Sequence, residues 1–166
     1  MQHKPVWGTC AGLVLLAEQA SATKQGGQEQ VGGLDVRVLR NRYGTQVQSF
    51  VAGLDLPFLS EKGCGQEEGR EEGPFRGVFI RAPIVEEVIT AIGEEGNGGK
   101  GGKVEVLGVY RKDKGEEGEG DIVAVRQGNV FGTSFHPELT DDVRIHLWWL
   151  RQVVDAARHG ELVVGA

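Results

Sequence analysis

A glycine-flanked cysteine lies near the start of the chain, between a strand pattern and a helix pattern. The short apolar run Val6-Trp7 leads into Gly8-Thr9-Cys10-Ala11-Gly12, and apolar residues dominate the stretch 13–20 that follows. A strand that turns sharply into a helix, with a nucleophile at the turn, is the Gly-x-nucleophile-x-Gly elbow. The glycines are needed because such a turn brings neighbouring backbone very close. Any fold for this chain therefore has to feed a strand into a helix at Cys10.

The place of Cys10 in this elbow predicts a reactive thiol. The positive end of a helix lowers the pKa of a nearby thiol and favours the thiolate. The backbone N–H of Ala11 points toward the same space, where it is placed to stabilise an oxyanion. A buried structural cysteine in a glycine turn is the alternative that these five residues leave open.

A histidine and a glutamate near the end of the chain form a second pattern. The run Ser134-Phe135-His136-Pro137-Glu138 ends a β-rich stretch just before the last helix pattern. Residues two apart in an extended segment point to the same side, so His136 and Glu138 can meet. A carboxylate on one imidazole nitrogen fixes the tautomer and leaves the other nitrogen to serve a nucleophile. The joint appearance of both patterns favours a nucleophilic site over a packed histidine and a structural cysteine.

Three acidic, glycine-rich loops are predicted at 61–74, 94–103 and 112–120. They hold 11 of the 24 acidic residues and 6 of the 18 basic ones, so the net charge of −6 belongs mostly to loops. No basic stripe offsets the acids, which disfavours a nucleic-acid partner. No calcium-type ligand spacing is present, and no metal site is predicted. The remaining sequence suits one domain over 1–166, since domains usually run about 100–200 residues.

The compartment is indicated by what the sequence does not carry. No apolar run approaches the ~18 residues of a membrane span. The first five residues form no apolar signal core, and two cysteines cannot form a disulfide framework. We expect a cytoplasmic protein without membrane association.

Alternating apolar and polar residues predict several strands between the loops. The predicted strands are 34–40, 46–51, 78–81, 104–110, 122–126 and 129–135, with a hairpin turn at 127–129.

A final helix is predicted with Thr140 as its N-cap and Gly160 at its far end. His146 is expected on its exposed surface. The apolar stripe expected to face the core consists of Val143, Leu147, Leu150, Val154 and Ala157.

The sequence resembles the class I (triad) glutamine amidotransferases, and within them the branch of glutaminase subunits of pyridoxal 5′-phosphate synthase. The similarity extends over nearly the whole chain apart from the acidic loops. It rests on five strings: Lys4-Pro5-Val6-Trp7-Gly8-Thr9-Cys10-Ala11-Gly12-Leu13, Gly32-Gly33-Leu34-Asp35-Val36, Arg40-Asn41-Arg42-Tyr43-Gly44-Thr45-Gln46, Gly77-Val78-Phe79-Ile80-Arg81-Ala82-Pro83 and Gly132-Thr133-Ser134-Phe135-His136-Pro137-Glu138-Leu139-Thr140.

The resemblance implies a three-layer α/β/α, flavodoxin-like fold. It also implies an enzyme that hydrolyses L-glutamine to glutamate and ammonia. It implies Cys10, His136 and Glu138 as the catalytic triad. It further implies that Arg40, Ile80 and Arg81 contact glutamine. The ammonia would pass to a barrel-shaped synthase subunit that makes pyridoxal 5′-phosphate, and no cofactor is implied. Cys64, in an acidic loop, is expected to be dispensable.

The resemblance also implies a segment that precedes Met1. Members of the family have several dozen residues before the nucleophile strand, including the first strand and a Gly-Gly-Glu-Ser-type loop that grips glutamine. Met1 is therefore interpreted as an internal start and the fold as lacking its N-terminal strands and helices. Low solubility and a turnover near background are expected of the 166-residue chain. A truncated, non-catalytic partner-binding remnant, or another class I amidotransferase or γ-glutamyl hydrolase, are the alternatives.

Overall fold

The computed structural model describes residues 4–21, 29–42, 49–60, 73–89, 102–112 and 120–158. Most of each predicted acidic loop, Cys64, the predicted strand start at 46–48 and the predicted helix end at Gly160 lie outside these ranges. None of the described helices has the length and apolarity that a membrane crossing requires.

Nine strands and two α-helices make up the described part of the chain. The helices are α1 (Ala11–Leu16) and α2 (Arg144–Arg158), and 3-10 turns occupy Pro57–Leu59 and Pro137–Leu139. The strands are β1 (Val6–Thr9), β2 (Ala17–Ser21), β3 (Leu34–Leu39), β4 (Ser49–Leu54), β5 (Phe75–Ile80), β6 (Ile84–Val88), β7 (Glu105–Tyr110), β8 (Asp121–Gln127) and β9 (Val130–Thr133).

Seven strands form one mixed sheet in the order β1-β9-β8-β6-β3-β2, with β7 also paired to β8. The pairs β1–β9 and β2–β3 are parallel, and the other pairs are antiparallel. Thr9, at the end of β1, lies opposite Thr133, at the end of β9. The register therefore brings the residue before Cys10 next to the segment that leads to His136. Strands β4 and β5 form a separate antiparallel pair.

The two helices cover opposite faces of the large sheet. A Cβ on Gly132 would lie 2.6 Å from Leu13 of α1, whereas the ring of the preceding residue, Phe131, lies 5.1 Å from that of Trp148 of α2. Successive strand side chains point to opposite faces, so α1 and α2 form separate outer layers. The predicted three-layer α/β arrangement is confirmed for the described residues.

The first helix is shorter than the sequence suggested. The apolar stretch 13–20 was expected to be helical throughout, but α1 ends at Leu16, and Ala17 has extended dihedrals of −70° and 148°. From Ala17 the chain pairs in parallel with β3. Tertiary pairing overrides local helix propensity here. Strand β6 was not predicted at all, because its glutamates at 86 and 87 break the apolar pattern.

The N-terminal cap of α2 differs from the prediction. The Thr140 N–H and hydroxyl both donate to the Pro137 carbonyl, at 3.2 and 3.0 Å, so Thr140 closes the preceding 3-10 turn. Asp142 Oδ1 accepts the Arg144 N–H at 3.1 Å. The aspartate thus satisfies a first-turn amide that a cap residue usually serves.

The predicted apolar stripe of α2 faces outward, and that prediction is wrong. Its large members Val143, Leu147, Leu150 and Val154 are 37% to 56% exposed, whereas Ile145, Trp148 and Ala156 are buried. Both sides of the helix carry apolar residues at spacings of three and four. The side with the tryptophans is the buried one because burying aromatic rings removes more apolar surface from water.

His146 was expected at the surface of α2, and this too is wrong. Its imidazole is half-buried, with its centroid 5.1 Å from the Trp7 ring. Trp149 packs on the same ring at 6.3 Å. This side of α2 is therefore packed against Trp7 of β1.

A pair of substitutions tests which face of α2 is buried. Ile145→Val removes one carbon from a fully buried side chain and should cost about 0.5–1.5 kcal/mol of unfolding free energy. Leu150→Ala removes three carbons from the outward face and should cost less than about 0.5 kcal/mol. Urea unfolding of both variants measures this. A larger cost for Leu150→Ala would contradict the observed orientation.

Candidate active site

The structure forms the predicted elbow at Cys10. Strand β1 ends at Thr9, Cys10 adopts φ 49° and ψ −104°, and α1 starts at Ala11. A positive φ is uncommon for a residue with a side chain and costs about 1–3 kcal/mol unless surrounding contacts impose it. Two contacts do so. The Cys10 N–H donates to the Thr133 carbonyl at 2.8 Å, and the Cys10 carbonyl accepts the Leu13 N–H at 3.1 Å.

The two glycines of the elbow have different roles. A Cβ on Gly8 would lie 2.5 Å from the Gly12 carbonyl carbon and 2.6 Å from its oxygen, whereas a Cβ on Gly12 would meet nothing within 4 Å. The close backbone approach predicted from the motif is therefore confirmed at Gly8. Gly12 supplies the backbone that Gly8 approaches.

His136 and Glu138 meet as the sequence predicted. The imidazole Nδ1 lies 2.7 Å from Glu138 Oε1. A carboxylate only accepts, so Nδ1 carries the proton and Nε2 is left as the basic nitrogen. The backbone N–H of His136 donates to the Val78 carbonyl of β5 at 2.8 Å, which fixes the histidine against that strand.

The Cys10 thiol lies beside the turn that follows β5. Its hydrogen-bond partner among the described residues is the Ile80 carbonyl, at 3.8 Å. Arg81 follows with a φ of 45°, a second strained residue at the site, and its side chain is exposed. Arg81 and Glu138 are both close enough to change the pKa of the thiol. The structure therefore brings Cys10, Ile80, Arg81 and Glu138 together.

The pKa of the Cys10 thiol is raised, opposite to the prediction from the helix alone. Burial of the thiolate is the largest cause, and the charge of Glu138 adds to it. The Ala11 N–H, which lies at the sulfur, and the Arg81 guanidinium lower the pKa but do not reverse the shift. Loss of water around the sulfur therefore outweighs the hydrogen bond from Ala11 and the charge of Arg81. The resting state at neutral pH is a thiol that needs a base.

Two substitutions should move the pKa of Cys10 in opposite directions. Glu138→Gln removes a charge that disfavours the thiolate, so the pH midpoint of Cys10 alkylation should fall. Arg81→Gln removes a charge that favours the thiolate, so the midpoint should rise. Iodoacetamide labelling as a function of pH, read at the Cys10 peptide by mass spectrometry, measures both. An unchanged midpoint in Glu138→Gln would mean that the carboxylate does not act on this thiol, and a rise would mean that it favours the thiolate.

Arg40 lies in the turn after β3, next to the turn that carries Arg81. The Arg42 N–H donates to the Ala82 carbonyl at 3.2 Å, which joins the two turns. Within the described ranges, no hydrogen bond or ion pair links Arg40 to Cys10, His136 or Glu138. Its predicted contact with glutamine stays a prediction.

The sequence did not predict the roles of two residues at this site, Thr133 and Trp7. Thr133 is fully buried and accepts the Cys10 N–H, and its hydroxyl accepts the Trp7 indole N–H at 3.2 Å. These partners are 126 positions apart, and no local pattern announces the contact. As for metals, the described residues contain no group of three or more potential ligand side chains arranged around one point.

The family model that matches this sequence is the SNO glutamine amidotransferase family, over residues 1–155. The chain is 44% identical to the probable pyridoxal 5′-phosphate synthase subunit PDX2 of Arabidopsis thaliana, over 89% of this chain and 57% of that protein. It is 41% identical to the pyridoxal 5′-phosphate synthase subunit PdxT of Pelotomaculum thermopropionicum, over 93% of this chain and 62% of that protein.

A solved structure described as glutamine amidotransferase superposes with a TM-score of 0.62 at 35% sequence identity. The match covers 90% of this chain and 61% of the solved one. The chain thus spans about three-fifths of the length of these relatives. Their likeness supports the family and fold expected from the motifs, while the low turnover expected of the 166-residue chain stays a prediction.

Proposed function

The chain belongs to the SNO glutamine amidotransferase family, and from this premise we propose that it hydrolyses the side-chain amide of L-glutamine at Cys10. The observation that carries the proposal is the Cys10 elbow, with the Ala11 N–H at the sulfur and the His136–Glu138 pair at the neighbouring strand end. A nucleophile, an oxyanion donor and an oriented base are what acyl transfer from an amide needs.

In the first half of the reaction, His136 Nε2 takes the thiol proton as the sulfur attacks the amide carbon. The new C–S bond places negative charge on the amide oxygen, which the Ala11 N–H stabilises. His136 then gives the proton to the leaving nitrogen, and the C–N bond breaks. Ammonia departs, and a γ-glutamyl thioester remains on Cys10.

In the second half, His136 takes a proton from water as the water oxygen attacks the thioester. Cleavage of the C–S bond, with return of the proton to sulfur, gives glutamate and restores the thiol. Glu138 holds the imidazole in one tautomer throughout and stabilises its charged form. The raised pKa of Cys10 makes this base essential, since little thiolate exists without it.

We assign glutamine recognition to Arg40, Ile80 and Arg81. The Arg81 side chain is exposed beside the thiol, and a planar guanidinium pairs well with the α-carboxylate of an amino acid. The Ile80 carbonyl faces the sulfur and is placed to accept a hydrogen bond from the substrate amide once the thiol has lost its proton. Arg40 occupies the adjoining turn.

The partner is proposed to be a barrel-shaped synthase subunit that consumes the ammonia to make pyridoxal 5′-phosphate. The relatives named as subunits of that synthase support this pairing. Direct transfer keeps ammonia from being protonated and lost to water. A cytoplasmic location suits a mechanism that needs a reduced thiol, because that compartment keeps cysteines reduced.

The proposal is tested by ammonia release from L-glutamine, with and without the synthase subunit. Glutamate and ammonia should form in equal amounts, and the partner should increase the rate. L-asparagine and a γ-glutamyl dipeptide serve as control substrates. Preferred cleavage of the dipeptide would identify a γ-glutamyl hydrolase instead. No turnover with the partner present would identify a non-catalytic, partner-binding chain.

A further inference from the structure

A short hydrogen-bond relay connects the nucleophile strand to the residue before His136. The Trp7 indole N–H donates to Thr133 Oγ1 at 3.2 Å, and that hydroxyl donates to the Phe135 carbonyl at 3.4 Å. Thr133 is fully buried, so water does not compete for its hydroxyl. The relay therefore runs from the half-buried Trp7 ring to a contact inside the protein.

Thr133 is the junction of this relay because its main chain and its side chain serve different halves of the site. Its carbonyl accepts the Cys10 N–H at 2.8 Å, and so holds the elbow in its positive-φ conformation. Its hydroxyl holds the carbonyl of Phe135, which is bonded directly to the His136 nitrogen. We propose that Thr133, oriented by Trp7, is a positioning residue that sets His136 relative to Cys10, an inference that rests on the proposed function.

The direction of the relay follows from the donors involved. An indole N–H only donates, so Thr133 Oγ1 has to accept from Trp7 and direct its own single proton elsewhere. The Phe135 carbonyl is the acceptor that receives it. Trp7 is itself fixed by ring contacts, with Phe131 at 5.2 Å and His146 at 5.1 Å. The hydroxyl therefore has one preferred orientation.

This orientation restrains the peptide group that carries His136. The chain leaves the sheet after Thr133, and His136 is anchored on the far side by its N–H to the Val78 carbonyl. The Phe135 ring is buried against Phe75 and Phe79, and its carbonyl is held by the relay. Without the hydroxyl, the Phe135 carbonyl loses its donor, and this peptide group is then held only from its other side, by the His136 N–H that donates to the Val78 carbonyl. A shift of about 1 Å at a catalytic group can cost about 100-fold in rate.

Three variants separate positioning from mere support of the fold. Thr133→Val removes the hydroxyl at nearly constant shape, Thr133→Ser retains it, and Trp7→Phe retains an aromatic ring without the N–H. In a chain extended by the N-terminal segment of its relatives, we expect kcat for glutamine to fall about 10- to 100-fold in Thr133→Val and Trp7→Phe, with KM changed by less than about threefold. Thr133→Ser should stay within about threefold of the parent. The double variant Trp7→Phe/Thr133→Val should lose little more than either single one.

A second readout does not depend on turnover. Positioning predicts that the fall in the Cys10 alkylation midpoint caused by Glu138→Gln becomes smaller in Thr133→Val, because the 136–138 segment is no longer held against the thiol. If the Glu138→Gln shift depends on the Thr133 hydroxyl but the parent chain does not hydrolyse glutamine, the proposed function is wrong and the positioning role of Thr133 is still supported. If Thr133→Val does not fold, the Glu138→Gln shift in the alkylation midpoint is measured in Trp7→Phe instead, and a smaller shift there supports the proposal.

An unchanged kcat in folded Thr133→Val and Trp7→Phe, or an unchanged Glu138→Gln shift, would overturn the proposal. If these variants then differed from the parent only in a lower unfolding free energy, the relay would contribute to stability and not to the positioning of His136.

Discussion

Replacing Cys10 with alanine, in a chain extended by the N-terminal segment of its relatives, is expected to lower ammonia release from glutamine by at least about 10⁴-fold. Removal of the nucleophile from a catalytic unit leaves only the residual rate that substrate binding and oxyanion stabilisation provide. The backbone N–H of Ala11 is untouched, and alanine occupies less space than cysteine at a position that is only partly buried. Binding of glutamine, measured by calorimetry, should therefore persist.

Cys64→Ser is the matched control for this experiment, since it removes the other cysteine of the sequence. It should release ammonia at the parent rate. Undiminished hydrolysis in Cys10→Ala, or loss of hydrolysis in Cys64→Ser, would show that the assignment of Cys10 as the nucleophile is wrong. The assay is carried out with the synthase subunit present, in the form in which the activity is proposed.

Replacing Gly8 with alanine is expected to disrupt the elbow and cost at least about 100-fold in Cys10-dependent turnover. The added Cβ would lie 2.5 Å from backbone of Gly12, and backbone cannot move aside as a flexible side chain can. Relief of this contact requires a displacement of about 1 Å in the turn, enough to misplace the nucleophile. The same displacement should lower the unfolding free energy.

Gly12→Ala is the control, because its Cβ points into open space. It should fold like the parent and retain turnover within a few-fold. Urea unfolding and glutamine hydrolysis measured on both variants check the difference. Equal effects of the two substitutions would show that the close approach at Gly8 does not shape the turn.

The parts of the site that the sequence predicted are those set by neighbouring residues. The elbow is encoded in five consecutive positions, and the structure places Cys10 at its turn. The His136–Glu138 contact follows from a spacing of two. Such patterns depend on backbone geometry over a few residues, which a sequence displays directly.

The parts that the sequence did not predict depend on distant contacts. The orientation of α2 is decided by rings on β1 and β9 that pack on Trp148 and Trp149. The pKa of Cys10 is raised by burial, which outweighs the hydrogen bond from the Ala11 N–H and the charge of Arg81. The Trp7–Thr133 hydrogen bond joins strands from opposite ends of the chain. Each outcome requires knowledge of which surfaces meet after folding.

The central claim, covalent catalysis by Cys10, is tested most directly by trapping the thioester. The chain is mixed with L-glutamine and the synthase subunit, quenched in acid during turnover and digested, and the Cys10 peptide is analysed by mass spectrometry. We predict a γ-glutamyl group on this peptide that hydroxylamine removes and that is absent when glutamine is omitted. Ammonia release with an unmodified Cys10 peptide at every quench time, or a glutamyl group on Cys64, would contradict the account.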